Sequence, residues 1–108
     1  MNRKMSGRRV HNPENGFTNL DENFSDTGSA YGVHTYTIED VGNKLYILTF
    51  LGMLGELTML SVGIDDTNNK FTSVIIMNSF SEITLSYIIQ LVETSFTYHP
   101  MDRNNVPV

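Results

Sequence analysis

Hydrophobic and polar positions divide the chain near residue 30. Before that point only Phe17, Leu20 and Phe24 offer large apolar side chains among Asn, Gly, Ser, Asp and Glu. So sparse a segment cannot offset the entropy of ordering its backbone. Residues 1–30 therefore read as a flexible tail, with a turn at Asn15-Gly16. Phe17, Leu20 and Phe24 are nonetheless spaced i, i+3 and i+7, which would place them on one face of a helix induced by a partner.

From Tyr31 onward the pattern changes to strand periodicity. Val33 to Glu39 alternates Thr35 and Thr37 with His34, Tyr36 and Ile38, and β-forming residues dominate it. Asp40-Val-Gly-Asn43 supplies turn chemistry, and Lys44 to Leu51 resumes a β-rich run. In that second run both faces are apolar: Leu45, Ile47, Thr49 and Leu51 alternate with Tyr46, Leu48 and Phe50. Such a strand is expected to be central or covered on both sides.

Gly52-Met-Leu-Gly55 reads as the next turn and Glu56 to Ile64 as a third strand. A short helix over 51–60 is the competing reading, weakened by about 1 kcal/mol for each glycine. Asp65 to Lys70 is the clearest turn, after which Phe71 to Met77 completes a second hairpin.

Ser79 and Glu82 have the spacing of a capping box, which opens a helix. Ile83, Tyr87, Leu91 and Thr94 form a stripe that Ile88, Val92 and Phe96 widen, while Glu82, Ser86, Gln90 and Glu93 line the outer side. Pro100 limits the helix, and residues 101–108 read as a frayed end. The expected architecture is one α+β domain over 31–100: an antiparallel sheet of about four strands in two hairpins, with a C-terminal helix across one face. A single helix leaves the other face of the apolar second strand open, so a homodimer through that face is expected.

Composition narrows the chemistry. Zero Cys in 108 residues removes disulfide scaffolds, thiolate metal sites and thiol nucleophiles. His11, His34 and His99 are far apart and match no metal-binding spacing. Asp65 to Asn69 is oxygen-rich but lacks the central Gly and final Glu of a calcium loop. No nucleophile elbow or phosphate-binding glycine loop is present. Neither an enzyme nor a cofactor is expected.

Leu45 to Ile64 is long enough to test as a membrane span. Glu56 lies at its middle, with Gly52, Gly55 and Gly63 nearby. A central acid costs about 2.5–3.5 kcal/mol on insertion, so two strands and a turn fit better. The basic start at Arg3, Lys4, Arg8 and Arg9 is followed by Val-His-Asn-Pro rather than an apolar run, so no export signal is expected. The sequon at Asn23-Phe-Ser25 then has little meaning, and a cytoplasmic location is expected, that of the host cell for a viral protein.

Charge adds a direction. The net charge of −5 hides a partition: residues 1–11 hold four bases and no acid, whereas 12–108 hold three bases against twelve acids, a net of −9. An acidic body repels nucleic acid but raises the on-rate for a basic protein. Glu39, Asp40, Glu56, Asp65, Asp66, Glu82 and Glu93 fall at the expected turns and along the outer helix. If they share one side, they imitate a line of phosphates. The expected function is a non-enzymatic protein–protein interaction module, in its most specific form a small phage or viral inhibitor blocking a basic, DNA-binding partner by DNA mimicry. The alternative is a small oligomeric structural or assembly subunit, and acidic residues also serve as plain solubility devices.

Overall fold

The computed structural model describes residues 13–65 and 70–97. Its elements are α1 (Pro13–Thr27), a single 3-10 turn (Ser29–Tyr31), β1 (Val33–Gly42), β2 (Leu45–Gly52), β3 (Leu57–Asp65), β4 (Lys70–Asn78) and α2 (Glu82–Phe96). The strands form one antiparallel sheet in the order β1-β2-β3-β4, and the protein is an α+β fold with α2 packed on that sheet. β2 is an inner strand, as its two apolar faces require. Gly52 to Glu56 connects strands rather than beginning a helix.

Local chemistry explains the hairpins. Asn43 and Lys44 join β1 to β2 with φ of 58° and 62°, the mirror-image turn whose twist suits paired strands. Asn accepts this conformation more readily than most residues. Gly42 precedes it at φ 90°, and its N–H donates to the Asp40 carboxylate at 2.9 Å. The Asp65-to-Lys70 turn falls on residues 66–69, outside the described residues, although the register pairs Asp65 with Lys70 across it.

One expectation needs correction. Residues 13–27, assigned from sequence to the flexible tail, form α1 and carry part of the core. Leu20 is fully buried, Phe17 and Phe24 are partly buried against the same cluster, and Asn15-Gly16 continues the helix rather than forming a turn. The spacing of the three apolar side chains suits a helix only where a surface is available to cover it. That surface is the chain's own sheet and α2, and an intramolecular surface lowers the entropic cost of ordering the helix.

The junction into α2 also differs. The helix begins two residues later than the Ser79 capping box implies: Ser81 is the cap, and its hydroxyl accepts from the Thr84 N–H at 3.3 Å. Ser79 instead pairs with β3, accepting from the Leu57 N–H at 2.8 Å while its own N–H donates to the Leu57 carbonyl at 2.8 Å. The buried stripe is rotated accordingly, to Ile88, Leu91, Val92, Ser95 and Phe96. Ile83 is 74% exposed, and Thr94 is exposed as well.

The helices run antiparallel, with Phe17 against Phe96 (5.2 Å between ring centroids) at one end and Thr27 bonded to Tyr87 at the other. Both lie on one face of the sheet. α1 meets β1 and β2 through Phe24–Tyr36 and Phe17–Tyr46, at 5.0 and 5.1 Å between centroids, and α2 meets β4 through Phe96–Phe71 at 5.9 Å. Between the layers Leu48, Phe50, Leu60, Val62 and Ile64 are buried with Leu20, Ile88 and Val92. Each such side chain contributes roughly 1.5–3 kcal/mol on leaving water.

Candidate interaction surfaces

A sheet with both helices on one side has two unlike exteriors, an outer helical surface and a bare sheet face. The acids that would imitate a line of phosphates if they shared one side are divided between them. Strand alternation sets Glu39 and Asp40 on opposite faces: Glu39 is opposite Ile47 on the bare face, and Asp40 is opposite Tyr46 on the helical side. Glu56 is occupied by its own turn, one carboxylate oxygen accepting from the Leu54 N–H at 3.1 Å. Asp65 forms an ion pair with Lys44 at 3.4 Å and has Lys70 as cross-strand partner. Both lysines of the described residues thus gather at one end of the sheet around one acid. Asp66 lies outside the described residues.

Glu82 and Glu93 remain, exposed on α2. They are eleven residues apart, close to three full helical turns, and so lie on nearly one face. The structure adds companions that the sequence reading passed over as tail. Asp21, Glu22 and Asp26 are exposed on α1, and neither helix contains a Lys or Arg. The helical layer is therefore acidic throughout, whereas the strand-borne acids do not join it. Periodicity had signalled this only through the i, i+3, i+7 spacing of α1, which places the intervening acids outward.

Aromatic side chains interrupt the acidic layer. Tyr31 and Tyr87 stack with ring centroids 4.1 Å apart and planes 8° from parallel. The Tyr87 and Thr27 hydroxyls are 2.7 Å apart, and the Thr84 hydroxyl donates to the Tyr31 carbonyl at 3.1 Å. These contacts hold the start of α2 against the end of α1. Shallow grooves flank Tyr87, one reaching Glu82 and the other Asp26. Burial pushes the Tyr87 phenol pKa up, opposed by its bond to Thr27. At the layer's edge the Tyr36 hydroxyl donates to the Asp21 carboxylate. Burial first and that carboxylate second raise the Tyr36 pKa strongly, so it stays protonated well into alkaline solution.

Asn23 of the sequon faces inward, its amide donating to the Ser95 hydroxyl at 3.2 Å in the seam between the helices. A glycan there would break the seam. His34 is exposed on β1, and among the described residues no group of His, Asp and Glu is arranged to hold a metal ion. Among them, too, no helix is long and apolar enough to cross a membrane.

The bare sheet face is chemically different. Cross-strand register places Thr35, Thr37 and Glu39 of β1, Leu45, Ile47, Thr49 and Leu51 of β2, Leu57, Met59 and Ser61 of β3, and Thr72, Val74 and Met77 of β4 on that side. Its centre is apolar and hydroxyl-bearing, and among the described residues its charge is confined to Glu39 and to the Lys44, Asp65 and Lys70 end.

Comparison with protein-family models, curated proteins and solved structures returned no match. This two-layer α+β protein presents two chemically distinct surfaces, the acidic helical layer and the bare sheet face.

Proposed function

We propose that the protein is a non-enzymatic interaction module whose acidic helical layer docks on the basic surface of another protein, such as a nucleic-acid-binding protein in the same cytoplasm. One observation carries this reading. Residues 13–32 and 79–97, which build the layer, contain Glu14, Asp21, Glu22, Asp26, Glu82 and Glu93 and no Lys or Arg.

The spacing refines the partner. A helix of fifteen residues is about 22 Å long. The five exposed acids Asp21, Glu22, Asp26, Glu82 and Glu93 over that length make about one charge per 4.4 Å, against about 1.7 Å for duplex DNA and about 3.4 Å for one of its strands. The layer matches the charge density of a single backbone, so the mimicry it supports is of one strand, as in a groove that tracks a single strand. The stacked pair of exposed Tyr31 and half-buried Tyr87, between acids, adds a platform for arginine side chains of the partner.

The test is affinity capture with the full chain, followed by binding measured on the purified partner. A basic nucleic-acid-binding protein should be recovered, released by high salt and displaced by single-stranded DNA. Its binding should weaken at least tenfold with Glu22→Lys and Asp26→Lys combined. A partner without a basic site, or binding indifferent to that reversal, would overturn the reading. The bare sheet face supports the second reading, an oligomeric structural or assembly subunit, which predicts association unaffected by the same reversal.

A further inference from the structure

We infer that the bare face of the sheet is covered by the same face of a second copy, related by a two-fold axis running along the strands. The two sheets then form the inner layers of a four-layer dimer, and the two acidic helical layers face outward in opposite directions. This inference goes beyond the proposed function and does not depend on it.

Area is the first argument. Four strands of eight to ten residues at about 4.8 Å spacing and about 3.3 Å per residue cover roughly 550 Å² in projection. Two such faces bury about 1,100 Å², above the roughly 1,000 Å² that a specific interface should clear, before surface corrugation is counted. Within the face Leu45 is 41% exposed, Leu51 37%, Val74 64% and Met77 40%, with Ile47 and Met59 half-buried between them. Contiguous exposed apolar side chains of this kind often mark an interaction site.

Charge is the second argument, and it selects the occupant. The helical layers carry the acids and repel one another, so self-association through them is disfavoured. On the sheet face the charges are few and placed at opposite edges. Glu39 stands on β1, and Lys70, in register with Asp65, stands on β4. A two-fold axis along the strands lays β1 of one copy over β4 of the other and sets Glu39, which shares its cross-strand row with Ile47, Ser61 and Val74, over the other copy's Val74, well separated from the second Glu39. An axis across the strands instead lays β1 over β1 and sets the two Glu39 edges against each other. Sheets packed in this way lie about 10 Å apart with strands near −30°, which the mixed Thr and Leu surface can fill.

Sedimentation equilibrium of the full chain at 1–100 μM, read with thermal melts, tests the inference. We expect a dimer at tens of micromolar, weakened at least tenfold by Val74→Glu. That position is exposed enough for the variant monomer to fold, as circular dichroism will show. Glu22→Lys with Asp26→Lys should leave the dimer intact. Val74→Lys, which sets a cation under the other copy's Glu39, should weaken it less than Val74→Glu does. A wild-type monomer at 100 μM, a dimer indifferent to Val74→Glu, or one lost on the helix-layer reversal would overturn the inference. Equal loss with Val74→Glu and Val74→Lys would overturn the proposed axis.

Discussion

The ring of Phe96, at the end of α2, occupies the space where a Cβ on Gly16 of α1 would stand. That contact closes one end of the helical layer and makes the last turn of α2 depend on the first of α1. Gly16→Ala should therefore lower stability by about 1–3 kcal/mol through overpacking. Helix propensity alone favours Ala by about 1 kcal/mol, so the sign of the change decides between the two effects. Thermal denaturation reads it. An unchanged or raised midpoint would mean that α1 does not dock on Phe96.

Leu20 and Ile83 give a matched pair on the two helices. Leu20 is fully buried and Ile83 is 74% exposed. Leu20→Ala should cost about 2–5 kcal/mol and Ile83→Ala less than about 0.5 kcal/mol. Chemical denaturation of both variants checks the orientation of each helix, and equal effects would contradict it.

Tyr36 links stability to alkaline pH. Its folded pKa is raised, so below about pH 10 the phenol is protonated in both states and its contribution is complete. Above about pH 10 the unfolded chain ionises first, and stability falls as pH rises toward the folded value. Tyr36→Phe removes the hydrogen bond to Asp21, at a cost of about 1 kcal/mol near neutrality, and also removes this slope. The difference between wild type and variant should close above pH 10. Denaturant titrations from pH 7 to pH 11.5 will show whether it does.

Asn78 serves two donors at the β4–α2 junction. Its side-chain oxygen accepts from the buried Thr58 hydroxyl at 2.5 Å and from the Phe80 N–H at 3.0 Å, while its amide donates to the Phe80 carbonyl at 3.1 Å. Asn78→Ala strands a buried hydroxyl and should cost about 1–3 kcal/mol. Thr58→Val leaves Asn78 bonded to Phe80 and should cost less. A double-mutant cycle should show coupling, and its absence would indicate that water replaces the pair.

The sheet was legible in advance because its signals are local. Period-two alternation at Val33–Glu39, turn chemistry at Gly42 and Asn43, and the doubly apolar Leu45–Leu51 run each predict their element without reference to distant residues. The capping box failed because two serines stand two residues apart, and only the position of β3 decides that Ser79 serves Leu57 while Ser81 caps α2. The acidic line failed for a different reason. Glu39 and Asp40, expected at a turn, are adjacent strand residues that project to opposite faces of the sheet, and Asp65 stands where two hairpins each bring a lysine.

By itself the sequence determined the strands, their hairpin order, the existence of α2 and the segregation of charge, because each depends on residues a few positions apart. Only tertiary structure decided that residues 13–27 fold. Three apolar side chains cannot hold a helix in water, and their spacing does not reveal that Tyr46, Tyr36 and Phe96 stand ready to pack against them. The same packing sets both helices on one side of the sheet, which gives the protein an acidic exterior on that side and an uncovered apolar face on the other.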